Sequence, residues 1–192
     1  MPTLAAQKVA LRRQLRERRR SLSAREQAAA AESIIPVVHQ LPGWGEARHI
    51  ALYLAADGEI DCAALAAAAR REGKNLYLPV INTDNSLGFA AWAKDEPLLE
   101  NRFGIPEPAV HATRCPPAML HILFLPLVGW DSEGARLGMG GGFYDKTLAE
   151  VRGPLLVGLA HDCQQAKRIP REEWDITLDF VVTPSALHDC RG

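Results

Sequence analysis

HIALYLAADGEIDCAALAAAARREGKNLYLPVI, residues 49–81, is the stretch whose reading settles the architecture. His49 to Ala55 is an apolar run short enough for a strand, and Ala56-Asp57-Gly58-Glu59 is a loop. Asp61 is placed to cap a helix, CAALAAAARRE, which Gly73 stops at its C-terminal end. Asn75 to Ile81 is a second apolar run. Strand, helix and strand at this spacing make a βαβ unit, which requires a parallel pair and a sheet covered by helices.

Working towards the N-terminus, Leu41-Pro-Gly-Trp-Gly45 is a turn. Before it, Ser23-Ala-Arg-Glu26 is a capping-box pattern opening an alanine-rich helix that runs into Ile34 and Ile35, with Pro36 set to kink or interrupt it. Thr3 can cap an earlier helix whose Leu4, Leu11, Leu15 and Leu22 form one apolar stripe. Lys8 and Arg12 lie one turn apart on it and share a face.

Towards the C-terminus come a polar turn, Asn82 to Ser86, and a short strand, Leu87 to Trp92. Residues 96–117 are rich in turn signals, with a stiff, extended core at Phe103 to Pro108 (FGIPEP). Ile122 to Val128 (ILFLPLV) reads as a strand buried on both faces. After it Arg136 precedes four glycines in five positions (Gly138, Gly140, Gly141 and Gly142), and Phe143-Tyr144-Asp145 opens a helix. Pro154 to Ala160 is a further strand, and Phe180 to Thr183 an edge-like one. The sum is an α/β fold, three layers about a central, mostly parallel sheet flanked by helices. Residues 1–192 read as one domain, with residues 1–41 as a basic helical segment packed on it.

Composition narrows the function. With 192 residues, 47% hydrophobic and 23% charged, the chain can bury a proper core. No apolar run approaches the roughly 20 residues of a membrane span, and Arg12, Arg13 and Arg16 interrupt anything like a signal peptide. Cys62, Cys115, Cys163 and Cys190 are scattered without ligand spacing, so reduced structural thiols in a cytoplasmic protein are expected, with no zinc site. Net charge is −1, yet residues 8–20 carry +6 and the remainder −7. That asymmetry raises a rival reading in which the basic helix binds RNA or a nucleotide without catalysis.

The strand, glycine loop and helix around residues 122–151 have the build of an anion site. Glycine lets the backbone approach a ligand, and free N–H groups at a helix start carry partial positive charge. Spacing excludes two familiar versions. Gly73-Lys74 is followed by Asn75 and has Ala68 where a Walker A motif needs glycine, while Phe143 occupies the third glycine of a dinucleotide fingerprint. Arg136 can fork two N–H groups onto phosphate oxygens. Asp145, with Asp175 or Asp179 from the tail, suits a nucleotide-borne Mg²⁺, which needs one or two carboxylates besides phosphate. Glu59 lies where open α/β sheets place ligand contacts. His161 and Asp162 read as solvated, and Trp44, Trp92, Trp130 and Trp174 as core or rim.

Arg136-Leu137-Gly138-Met139-Gly140-Gly141-Gly142-Phe143-Tyr144-Asp145 resembles the signature loop of the 5-formyltetrahydrofolate cyclo-ligase family, and the resemblance covers nearly the whole chain. Lys8-Val9-Ala10-Leu11-Arg12 is similar to the family's K-x-x-L-R segment, which reaches ATP phosphates. Tyr53 to Asp61 resembles the segment whose glutamate holds folate, Phe103 to Pro108 the aromatic-x-I-P-x-P turn, and Pro170 to Pro184 the tail that supplies a second magnesium ligand. The resemblance implies ATP and 5-formyltetrahydrofolate as substrates, Mg²⁺ as cofactor, a monomer, and 5,10-methenyltetrahydrofolate, ADP and phosphate as products. It also implies roles. Arg136 and Lys8 stabilise the transferring phosphoryl group, and Lys8 to Arg12 with Arg136 to Tyr144 hold ATP. Leu54, Glu59, Phe103 and Met139 to Phe143 hold the folate, and Asp145 and Asp175 hold the metal. Some members carry a lysine at the position of Gly141, a charged residue at that of Met139 and a tyrosine at that of Phe143.

Overall fold

The computed structural model describes residues 3–192. Thr3 accepts a hydrogen bond from the Ala6 N–H and starts α1 (Leu4–Arg20). Ser23 and Glu26 close a full capping box on α2 (Ala24–Val38), which continues through Pro36 rather than ending there. In chain order follow β1 (His49–Ala51), α3 (Ala63–Arg71), β2 (Asn75–Ile81) and β3 (Leu87–Ala91). The residue capping α3 is Cys62, not Asp61, and it makes no side-chain cap; the Asp61 carboxylate, one residue earlier, accepts from the Ala63 N–H at 2.7 Å. Next come β4 (Leu99–Glu100), β5 (Pro106–Glu107), β6 (Arg114–Cys115), β7 (Ile122–Leu125), β8 (Gly129–Trp130) and β9 (Arg136–Leu137). The chain ends with α4 (Phe143–Leu148), β10 (Leu155–Leu159), β11 (Phe180–Val182) and β12 (Leu187–Asp189).

The main sheet has eight strands in the order β12-β11-β10-β7-β1-β2-β3-β6. Strands β11, β10, β7, β1 and β2 are mutually parallel, and β12, β3 and β6 add antiparallel margins. The βαβ unit is in place, with His49 opposite Asn75 and Ala51 opposite Tyr77. Phe180 to Val182 is not an edge. It lies between β10 and β12 and is fully buried, because Leu187 to Asp189 folds back to cover it.

The run ILFL shows why the sheet needs two helical layers. Ile122 and Phe124 pack with Ile34 and Val38 of α2 and Leu65 of α3, while Leu123 and Leu125 pack with Leu148 of α4 and Trp130. Alternating side chains of a strand point to opposite faces, so an all-apolar strand is stable only when both faces are covered. Leu15 of α1 seats in a smaller cluster with Val128, Leu137 and Ile169, which holds the basic helix against the glycine-loop side of the sheet.

Connections out of β1 and β7 diverge. The crossover from β1 reaches β2 on one side, and that from β7 reaches β10 on the other. Helices α3 and α4 accordingly fall on opposite faces. Two adjacent parallel strands whose connections leave in opposite directions open a crevice beyond their carboxyl ends.

Candidate active site

A cleft of about 710 Å³ occupies that crevice. Its floor comes from the loop after β1 (Glu59), the end of β2 (Pro79, Ile81) and the residues after β7 (Pro126, Leu127). One wall is the glycine loop and the start of α4. The opposite wall is α1 with the tail segment Glu172–Asp175.

The glycine loop runs between two guanidinium groups. Arg12 Nε donates to the Gly138 carbonyl at 2.8 Å, and its guanidinium carbon would lie 3.6 Å from a Cβ added at Gly140. From the other side, a Cβ at Gly138 would come within 2.9 Å of Arg136 Nη1. Gly140 and Gly142 have φ of +104° and +67°, which side chains disfavour. At Gly141 the reason is packing, since a Cβ there would meet the Phe143 ring at 2.6 Å. A lysine at Gly141 would therefore displace Phe143, and Arg12, reaching across from α1, sets a cation against this loop instead.

Arg136 is held rigidly. Nη1 donates to the Pro126 carbonyl, Nη2 lies 3.2 Å from Asp145 Oδ2, and the guanidinium stands 5.5 Å from the Tyr144 ring. Its Nε is buried with no hydrogen-bond partner among the described residues. Asp145 also accepts from the Ile176 N–H at 3.2 Å, which ties α4 to the tail and brings Asp175 to the same cleft. Asp175 accepts from Lys8 Nζ at 2.5 Å, with Glu172 at 3.2 Å. Burial alone would lower the Lys8 pKa, but the two carboxylates outweigh it and hold the ammonium charged.

Two cleft carboxylates fit a magnesium ion that takes most of its ligands from phosphate and water. Among the described residues no three His, Cys, Asp or Glu side chains converge as an all-protein cage. Asp179 lies elsewhere, accepting from the Leu156 N–H at 2.7 Å.

Glu59 is set apart by burial. Its side chain is 10% exposed, its Oε2 accepts from the Ala56 N–H at 3.0 Å, and Arg19 stands 3.8 Å away. Desolvation raises its pKa against the pull of that hydrogen bond and of Arg19. The loop carrying it is strained and strongly held. Asp57 has φ +53° and accepts from Arg16, Arg19 and Arg20 at 2.7, 2.7 and 2.6 Å. Burial opposes ionisation of Asp57, but those three bonds keep its carboxyl well below the usual range. His161 is buried rather than solvated, its Nε2 3.1 Å from the Gly58 carbonyl, and burial lowers its pKa.

Most of the expected site converges on the cleft. Lys8, Val9, Arg12, Glu59, Arg136 to Tyr144, Asp145 and Asp175 all line it. Four expected residues do not. Ala10 and Leu11 face away on α1, as helical periodicity demands once Lys8 and Arg12 face in. Leu54 packs against the core on the α2–α3 side. Phe103 is exposed at the tip of the β4–β5 hairpin, with Arg102 over its ring. In their place the apolar surface comes from Pro79, Ile81, Leu127 and Ile105. Glu107 was also missed. It is buried in the cleft wall and accepts from the Ile81 N–H at 2.8 Å and from Asn101 at 2.7 Å. Its place in the IPEP turn was the available signal.

A model described as the 5-formyltetrahydrofolate cyclo-ligase family matches residues 4–184. The chain belongs to that family. A Haemophilus influenzae protein named 5-formyltetrahydrofolate cyclo-ligase is 41% identical over 178 residues, covering 90% of this chain and 95% of that protein. The Escherichia coli K12 protein of the same name is 39% identical over 178 residues, covering 90% and 98%. The NMR structure of Aquifex aeolicus 5,10-methenyltetrahydrofolate synthetase matches with a TM-score of 0.85 at 34% identity, covering 96% of this chain and 93% of that one.

Proposed function

We propose that this enzyme converts 5-formyltetrahydrofolate and ATP to 5,10-methenyltetrahydrofolate, ADP and phosphate. The observation that carries the reading is the composition of one continuous cleft. It joins a glycine loop flanked by Arg12 and Arg136 to an apolar floor containing a largely desolvated carboxylate, Glu59. Polyphosphate fits the first half and a flat heterocycle with N–H donors the second.

In the first step the formyl oxygen attacks the γ-phosphorus of ATP, the bond to the β–γ bridging oxygen breaks, and ADP leaves. Phosphoryl transfer depends mainly on positioning and on neutralising charge spread over the phosphate oxygens. Arg136, preorganised by Pro126 and Asp145, and Lys8 and Arg12 from α1 supply that charge. N10 of the folate then attacks the activated formyl carbon and loses its proton, and the carbon–oxygen bond breaks to release phosphate. Ring closure requires proximity more than an acid or base. Glu59 would accept from pterin N–H groups, and Phe143 would offer ring surface to the heterocycle. Mg²⁺ bound at Asp145 and Asp175 would screen the phosphate charge. The four cysteines are free thiols, in keeping with a cytoplasmic enzyme.

The test is to mix the protein with ATP, Mg²⁺ and 5-formyltetrahydrofolate and follow the methenyl chromophore. Its ATP-dependent appearance is expected. Its absence from a folded preparation would sink the reading.

A further inference from the structure

Trp174 is 66% exposed, whereas Trp44 and Trp130 are buried and Trp92 is partly buried and packed against the core. It lines the cleft from a turn that is fixed at both ends. The Asp175 N–H donates to the Glu172 carbonyl at 3.1 Å, and the Glu172 N–H donates to Asp175 Oδ2 at 2.9 Å. Lys8 grips both carboxylates of that turn and binds it to α1. An indole left in water on so constrained a backbone is a prepared surface, not a slack side chain.

The facing helix explains what that surface would receive. Along α1, Ala5 and Val9 line the cleft at one helical spacing and Lys8 and Arg12 at another, so the helix presents an apolar strip beside a cationic one. Val9 is itself 63% exposed. A ligand with a flat apolar ring at one end and phosphates at the other matches this arrangement, with the phosphates directed to Arg12 and the glycine loop.

We propose that Trp174 is the stacking platform for the purine base of the nucleotide, and so a determinant of nucleotide affinity. The inference rests on the proposed use of ATP and adds the orientation of that nucleotide, base towards Trp174 and the tail. Stacking of a base on an aromatic side chain contributes about 1–3 kcal/mol by alanine substitution, which corresponds to roughly 5- to 150-fold in affinity.

Steady-state kinetics on Trp174→Ala and Trp174→Phe test this. Trp174→Ala should raise the KM for ATP by roughly 5- to 150-fold, with kcat and the KM for 5-formyltetrahydrofolate changed far less. Trp174→Phe should recover most of the loss. Inhibition by magnesium tripolyphosphate, which has no base, should be equal in wild type and Trp174→Ala. An unchanged KM for ATP, an equal weakening of tripolyphosphate, or a change confined to the folate would overturn the assignment. If wild type forms no methenyl product, the functional reading fails. Direct titration of ADP into wild type and Trp174→Ala then decides the stacking separately, and equal affinities would overturn it.

Discussion

Arg136 owes its orientation to three neighbours at once, and its role depends on that more than on charge. Arg136→Ala should lower kcat by roughly 100-fold or more, with the circular dichroism spectrum retained. Arg136→Lys should recover little, since an ammonium cannot hold Pro126 and Asp145 together while meeting phosphate. Near-normal turnover of either variant would remove Arg136 as the phosphate clamp. Glu59 makes a pH prediction. Its folded pKa lies above the ordinary 4.5, so the folded state binds its proton more tightly than the unfolded chain does. That contribution to stability is fully present below pH 4.5 and is lost as pH rises through the folded value. Glu59→Gln should remove this decline, which unfolding free energies measured from pH 4 to pH 7 would register; parallel curves for variant and wild type would contradict it. That Arg136 and the glycine loop belong together in one cleft was legible, since glycine density and a neighbouring arginine are local signals. Trp174 was not, because exposure of an aromatic depends on how the tail is pinned to a helix more than 160 positions earlier.

At the scale of elements, loops position the site and glycines set where they can run. Gly134, in the turn between β8 and β9, has φ +76°, and an added Cβ would meet the Leu178 carbonyl at 2.5 Å. Gly134→Ala should therefore destabilise the protein by about 2 kcal/mol or more, read as a lower urea midpoint. No shift would show that the turn relaxes freely. Glu107 fastens the β4–β5 hairpin to the end of β2. Glu107→Ala leaves the Ile81 N–H without its acceptor and should raise the KM for 5-formyltetrahydrofolate several-fold, with Glu107→Gln milder because its carbonyl oxygen still accepts. Equal kinetics for Glu107→Ala and wild type would remove the hairpin from substrate positioning. Local punctuation made much of this legible. The capping signals at Thr3 and Ser23, the stop at Gly73 and the burial of ILFL on both faces all follow from short-range chemistry. Phe180 to Val182 was misread as an edge because strand order is set by pairing with Leu187 to Asp189, which no local pattern encodes.

For the molecule as a whole, the basic helix is mostly an internal connector. Of the seven basic side chains from Lys8 to Arg20, only those of Arg13 and Arg18 have no hydrogen-bond or ion-pair partner among the described residues. Arg19 is fully buried, yet it interrupts what the leucine spacing presented as a plain apolar stripe. Its partner Asp57 lies 38 positions away, beyond the reach of helical periodicity. Asp57→Asn strands that buried charge and should cost about 3 kcal/mol at neutral pH. Because the folded pKa of Asp57 is depressed, wild-type stability from this group is present above pH 3.8 and is lost as pH falls towards the folded value. The variant's acid limb should be correspondingly flatter; an equal slope would contradict the arginine cluster. With so little free positive charge, RNA affinity should be negligible at physiological salt, and tight, steeply salt-dependent binding would revive the rival reading.

The central claim is that ATP activates the formyl oxygen within this one cleft. Labelling that oxygen with ¹⁸O and analysing the phosphate released per methenyl product tests it most directly. The account predicts one labelled phosphate for each ring closed; label appearing in water, or product formed without ATP, would contradict it.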